Sequence, residues 1–202
     1  MLYCCSNFKT RILIPSQLIA PSKINYLSIY DGRLPSFNPF YTNKLLKFLL
    51  NPTSFNLTSV NSKTFFLVEA AAENPFGTEF FVWLDAGYGH GDRSIFPSGW
   101  KWQPKFEKGI ISLIKLTPPT DLITHYNLQS LYRDISVISG GFLAGDRNSI
   151  IRLHQLYYKK FINLIEKQKV DDDQTMLVLL INEYPEFFHI YYGDWFDAFE
   201  LF

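Results

Sequence analysis

The apolar run from Phe80 to Leu84 constrains the fold of this chain more than any other feature of the sequence. The run contains three aromatic residues and no polar residue, and Gly77 turns the chain into it. A strand without alternating polar residues is typical of a strand that is buried on both faces. The run therefore predicts a strand at the centre of a parallel or mixed sheet.

Helical and extended patterns alternate along the rest of the chain. The apolar residues predict helices at 62–73, 122–131, 148–167 and 173–182. Short apolar runs predict further strands at 11–14, 109–116, 135–138 and 187–192. Strands that alternate with helices are typical of an α/β fold, so we expect a mixed, mainly parallel central sheet flanked by helices.

The length of 202 residues suits one domain with a single core. Residues 1–43 contain four of the 11 prolines, and we predict an irregular N-terminal segment there. One α/β domain is expected to follow over residues 44–202. The two cysteines, Cys4 and Cys5, are adjacent, so a disulfide scaffold is not expected.

Charge and hydropathy argue against two classes of partner. Nineteen Lys and Arg residues balance 19 Asp and Glu residues, which removes the electrostatic case for binding nucleic acid. The apolar runs are too short to cross a bilayer, so no integral membrane segment is expected. Residues 1–11 do not resemble a signal peptide, which predicts a cytoplasmic location. A truncated N-terminus would leave the lumen of the secretory pathway as the alternative.

Two motifs could hold a ligand at the ends of strands. Asp85 directly follows the Phe80 run, and ligands of open α/β sheets lie at the carboxyl ends of strands, where a carboxylate reaches a metal or a sugar hydroxyl. Gly140 and Gly141 follow the predicted strand 135–138 and would let a ligand approach the backbone. The structural alternative for both motifs is a turn.

Three consecutive aspartates, Asp171 to Asp173, open the predicted helix 173–182, and Gln174 follows them. A helix N-terminus offsets part of their mutual repulsion through its dipole, by roughly 0.3–1 kcal/mol per charge. Capping of the helix explains one aspartate but not three. The excess favours a divalent cation or a hydroxylated ligand.

The long loop 87–108 is rich in glycine and aromatic residues, and a loop of this length is usually functional. His90 and Asp92 could add metal ligands. Trp100 and Trp102 could stack on a sugar ring, or they could anchor the loop on the core. Both interpretations stay open from the sequence.

Five segments, in this order, together resemble the HtrL/YibB family over residues 51–202. They are FVWLDAGYG at 81–89, ISGGFLAG at 138–145, DDDQ at 171–174, PEFF at 185–188 and DWFDAF at 194–199. This family looks like glycosyltransferases of the nucleotide-diphospho-sugar type, with the GT-A fold. The resemblance implies transfer of a sugar from a nucleoside diphosphate sugar to a glycan or another hydroxyl acceptor.

The resemblance also implies roles for individual residues. Asp85 would hold a divalent cation, Mn²⁺ or Mg²⁺, that stabilises the diphosphate leaving group. Asp172 and Asp173 would be the catalytic carboxylates. The substrate would be bound by four further residues: Gly140, Gly141, Gln174 and Trp195. These roles require Asp85, Gly141 and Asp173 to converge at one edge of the sheet.

Two departures from the family pattern shape the expectation. The usual metal motif has two aspartates one residue apart, whereas Ala86 and Gly87 follow Asp85 here. Family members also carry sheet and helix ahead of the matched region, so we expect a truncated or divergent member whose sheet lacks part of its N-terminal strands. A catalytically inactive carbohydrate-binding or interaction protein is therefore the alternative function, and a metal-dependent hydrolase ranks last.

Overall fold

A mixed six-stranded sheet organises the protein. The computed structural model describes residues 11–14, 24–29, 61–85, 87–98, 102–131 and 135–202. The strands are β1 (Arg11–Ile14), β2 (Ile24–Ile29), β3 (Phe80–Leu84), β4 (Ile111–Lys115), β5 (Phe142–Asp146) and β6 (Phe188–Tyr192). Their order in the sheet is β1-β2-β3-β5-β4-β6. The predictions of β1 and β3 are confirmed, whereas β2 lies in the segment that was predicted to be irregular.

Helices flank this sheet, as the sequence predicts. They are α1 (Lys63–Glu73), α2 (Leu128–Leu131), α3 (Arg147–Glu166), α4 (Asp173–Glu183) and α5 (Ala198–Leu201). Short 3₁₀ turns lie at Tyr88–Gly91, Ile123–His125 and Pro185–Phe187. None of the helices in the described ranges combines the length and the apolar character that crossing a bilayer requires.

The strand directions correct the expectation of a mainly parallel sheet. Among the described strands, β2–β3 and β4–β6 are parallel, whereas β1–β2, β3–β5 and β4–β5 are antiparallel. Strand β5 lies between β3 and β4 and runs against both. Every residue of β4 and β5 is buried, so neither strand has the polar alternation that marks one exposed face. Complete burial indicates a central strand but not its direction.

The predicted strand 135–138 is wrong, and the strand begins four residues after its end. Ile138 forms an isolated antiparallel bridge with Lys115, and β5 starts at Phe142. Strand β5 contains Gly145, and this residue explains the error, because a glycine in a short apolar run favours the prediction of a turn. In the structure, a Cβ on Gly145 would lie 2.7 Å from the Ile111 Cδ1 atom. Close packing between β5 and β4, and not a turn, therefore requires this glycine.

Two apolar clusters cover the two faces of the sheet. The larger cluster joins the sheet to α1, α3 and α4, with Phe81 and Leu143 contributed by the strands. The smaller cluster packs Val82 and Phe142 against the long loop and the C-terminal residues. Alternate residues of β3 and β5 thus enter different clusters, as the pleat of a strand requires.

Leu153 of α3 provides a test of this packing, because its side chain is fully buried in the larger cluster. Leu153→Ala removes apolar contacts and leaves a cavity, so we expect a loss of about 2–5 kcal/mol in the free energy of unfolding. Gln155 is exposed on the same helix, and Gln155→Ala should change stability by less than about 0.5 kcal/mol. Urea denaturation measures both variants, and equal effects would contradict this packing.

Candidate functional site

The end of β3 and the start of β5 meet at one edge of the sheet and build the candidate site. Leu84 at the end of β3 pairs with Phe142 at the start of β5, because these strands are antiparallel. The pairing continues past the strands, where the Asp85 N–H donates to the Gly141 carbonyl at 3.0 Å. The structure therefore brings the strand-end aspartate and the glycine pair together.

A pocket of about 420 Å³ opens at this edge. Carboxylate, imidazole and aromatic side chains share its wall with exposed backbone. The lining residues are Asp85, Gly87, Tyr88, His90, Gly141, Trp195 and Phe196. Polar groups set among aromatic surfaces are typical of small-molecule sites.

Tyr88 forms part of the wall of this pocket. Its hydroxyl accepts a hydrogen bond from the Ala198 N–H at 3.0 Å, and its ring meets Phe196 edge-on. Burial raises the pKa of Tyr88 to about 12, so the phenol is neutral at physiological pH. Gly89 follows at a φ of 80°, and a Cβ there would lie 2.3 Å from the Ile95 Cδ1 atom. This glycine is therefore required by the turn that presents Tyr88 and His90.

Lys63 lies beside the pocket and contacts the strand-end aspartate, the glycine pair and the aspartate run. Its Nζ atom donates to the Gly140 carbonyl at 2.7 Å and lies 3.2 Å from Asp85 Oδ1. The same atom lies 2.8 Å from Asp173 Oδ2. Trp83 completes the arrangement, because its Nε1 atom donates to Asp85 Oδ1 at 2.6 Å. The predicted convergence of Asp85 and Asp173 is thus observed, with an ammonium group between them.

Burial and the neighbouring charges shift the pKa values of Asp173 and Lys63 in opposite directions. The Asp173 side chain is 8% exposed, and burial raises the pKa of its carboxyl even though Lys63 acts in the opposite direction. For Lys63, burial lowers the pKa, but the charges of Asp173 and Asp85 outweigh it, so the net shift is upward. Lys63 is therefore charged at neutral pH and offsets part of the cost of burying the Asp173 carboxyl.

Each of the three consecutive aspartates has its own protein partner. Asp172 caps α4, because its side chain accepts from the Thr175 N–H at 2.9 Å. The Asp171 carboxylate accepts from the Thr175 hydroxyl at 2.9 Å. Asp173 pairs with Lys63. The three carboxylates, whose number suggested a ligand, are thus all paired within the protein. The catalytic roles of Asp172 and Asp173 stay predictions.

The other predicted substrate-binding residues divide into two groups. Gly141 and Trp195 line the pocket, and Trp195 is 37% exposed there. Gly140 and Gln174 lie behind the pocket wall, where a Cβ on Gly140 would be 3.2 Å from the Gln174 Cγ atom. The Gln174 Oε1 atom is buried and has no hydrogen-bond donor among the described residues.

The sequence left two roles open for the loop tryptophans, stacking on a sugar and anchoring the loop. The structure decides between them for Trp102. Trp102 is buried, and its Nε1 atom donates to the Phe202 carbonyl at 2.9 Å. Its ring also meets Phe199 edge-on, so Trp102 anchors the loop to the C-terminal residues. Trp100 lies outside the described residues.

With Lys63 in place, the oxygen atoms beside Asp85 leave no position for a divalent cation. Mg²⁺ and Mn²⁺ require several oxygen ligands around one point. In the described ranges, no three His, Cys, Asp or Glu side chains are grouped closely enough to hold a metal. The space between Asp85 and Asp173 is taken by the Lys63 ammonium. Metal binding by Asp85 stays a prediction, and no chemical step is derived from it.

Lys63 is a site residue that the motif analysis did not single out. It is the first residue of α1, where a cation opposes the helix dipole. A single lysine at the start of a helix that is rich in apolar residues was the available signal. Phe196 lies within the segment DWFDAF at 194–199, but that segment did not assign it a role.

The adjacent glycines allow a matched test of this geometry. Neither has a positive φ, so alanine is compatible with the backbone at both positions. A Cβ on Gly140 would lie 3.0 Å from Asp173 Oδ2, whereas one on Gly141 would have ordinary contacts from 3.4 Å outward. Gly140→Ala should therefore lower the free energy of unfolding by about 1–3 kcal/mol. Gly141→Ala should leave it nearly unchanged, and the reverse order in urea denaturation would refute this placement.

Comparisons with known proteins agree with the motif resemblance. The model of a family described as bacterial protein of unknown function (HtrL_YibB) matches residues 38–202. No curated protein and no solved structure matches the chain. The family match includes every residue of the pocket and of the Lys63 cluster. The chain therefore belongs to the HtrL/YibB family.

Proposed function

We propose that this protein is a glycosyltransferase of the GT-A type, which moves a sugar from a nucleoside diphosphate sugar to a hydroxyl acceptor. The observation that carries the proposal is the pairing of a carboxylate, Asp85, with an exposed indole, Trp195, in one pocket. Its position at the carboxyl end of a central strand supports the proposal, because α/β sheets bind ligands at that edge.

The two groups suit the two surfaces of a sugar ring. The apolar C–H face of the ring packs on the Trp195 indole, and a ring hydroxyl donates a hydrogen bond to Asp85. The Asp85 side chain is 43% exposed, so it keeps acceptor capacity toward the pocket. Gly141 presents backbone without a side chain, which lets the ring approach the wall closely.

The proposed transfer exchanges one bond for another at the anomeric carbon. The acceptor hydroxyl attacks this carbon, the bond to the diphosphate oxygen breaks, and the hydroxyl proton passes to a base. Asp85 is the carboxylate that lines the pocket, so we assign the proton to it. Asp173 is buried behind Gly140 and would need to become exposed to act as this base.

Trp195→Ala tests the binding step. Loss of the stacking surface should weaken binding of the preferred nucleotide sugar about tenfold or more, which is about 1.4 kcal/mol. Phe76 is also 37% exposed but does not line the pocket, so Phe76→Ala is the matched control and should bind normally. A panel of nucleotide sugars is screened by saturation-transfer NMR, and affinities follow by calorimetry. Equal affinities for both variants would remove Trp195 from the site.

Asp85→Asn tests the transfer step. The substitution keeps the size of the side chain and removes the proton acceptor, so release of nucleoside diphosphate should fall about 100-fold or more. Coupled detection of the released nucleoside diphosphate measures the rate. An unchanged rate would show that Asp85 is not the base.

A carbohydrate-binding protein without transferase activity is the second candidate. The burial of Asp173 and the helix-capping role of Asp172 favour it, because neither predicted catalytic carboxylate lines the pocket. Such a protein would bind a sugar in a Trp195-dependent manner and release no nucleoside diphosphate with any acceptor. The two measurements above therefore separate the candidates.

A further inference from the structure

Lys63 Nζ occupies a position that is lined by oxygen atoms. Four of them lie within 3.5 Å: both carboxylate oxygens of Asp85, Asp173 Oδ2 and the Gly140 carbonyl. The Trp83 ring covers the ammonium group at 5.7 Å from the ring centroid. Two carboxylates and a carbonyl are the ligands that hard divalent cations prefer. An ammonium group stands where such a cation would be coordinated.

The ammonium reaches this position against two opposing effects. It belongs to the first residue of α1, where the helix dipole disfavours positive charge. Its side chain is 16% exposed, so the charge is largely withdrawn from water. The carboxylates of Asp85 and Asp173 must compensate for both effects. Their contacts with Lys63 join α1, the end of β3 and the start of α4 at one point.

Asp85 gains a fixed orientation from this arrangement. Its Oδ1 atom is held by Trp83 Nε1 and by Lys63, while the exposed part of the side chain faces the pocket. A carboxylate that already has a cationic partner attracts a second cation weakly. It can still accept a hydrogen bond from a neutral hydroxyl group.

We propose that Lys63 is the resident cation of this site, standing in place of a divalent metal, and that the pocket binds its hydroxylated ligand without metal. Lys63 is then a positioning residue that acts on the ligand through Asp85. The choice of a hydroxylated ligand rests on the proposed function, whereas the replacement of the metal does not.

Manganese alone is the probe for this proposal. Wild-type protein is titrated with Mn²⁺ up to about 1 mM, and free Mn²⁺ is counted by electron paramagnetic resonance. We expect no stoichiometric binding by the wild type. One bound equivalent that Asp85→Asn abolishes would overturn the proposal.

Lys63→Ala vacates the oxygen-lined position and should create a metal site. We expect this variant to bind one Mn²⁺ at least about tenfold more tightly than wild type and to unfold at a higher temperature with Mn²⁺ than without it. Lys63→Arg retains the charge and should show neither effect. The double variant Lys63→Ala, Asp85→Asn should lose the gained site. A merely structural lysine would destabilise the protein on removal without creating a metal site.

Each outcome decides the proposal. If Lys63→Ala folds and gains no Mn²⁺ affinity, the oxygen atoms do not form a cation site and the proposal fails. If this variant does not fold, the wild-type titration decides alone. Failure to find a sugar ligand would refute the proposed function and leave the manganese result unaffected.

Discussion

The site depends on the insertion of β5 between β3 and β4 in the opposite direction. Because β5 is antiparallel to β3, its first residue, Phe142, pairs with the last residue of β3, Leu84. The residues just before β5 therefore lie beside the residue just after β3. A parallel β5 would place Gly141 at the far edge of the sheet from Asp85, and the pocket would lose one wall. Strand direction thus decides which parts of the chain meet.

Charge balance holds the neighbouring elements together at this edge. Asp173 is buried at the start of α4, and a lone buried carboxylate would be strongly destabilising. Lys63 compensates it and contacts Asp85 at the same time. One ammonium group therefore connects two helices, α1 and α4, to the end of a central strand. Asp85 thus belongs both to the pocket wall and to the ion-pair cluster beside it.

Aromatic residues make up 17% of the chain, and the structure shows where many of them are used. They cover the sheet face that lacks long helices. There the Trp102 ring packs near Phe142, and its Nε1 atom donates a hydrogen bond to the Phe202 carbonyl. Tyr88 belongs to the same cluster and is held by the Ala198 N–H. The long loop and the C-terminal residues thus replace a helical layer. The pocket opens where these two segments meet the strand ends.

The sequence alone determined most helices and strands, because the pattern of apolar residues that predicts them lies within each short segment. The bounds of α1, α3, α4 and β3 were predicted within a few residues. It also identified the family and brought Asp85, Gly141 and Trp195 forward as site residues. The tertiary structure decided the direction of β5, the burial of Asp173 and the ion pairs of Lys63. These features depend on pairing between residues that lie far apart in the chain. A buried strand has the same apolar pattern in either direction, and a lysine shows its carboxylate partners only after the chain has folded.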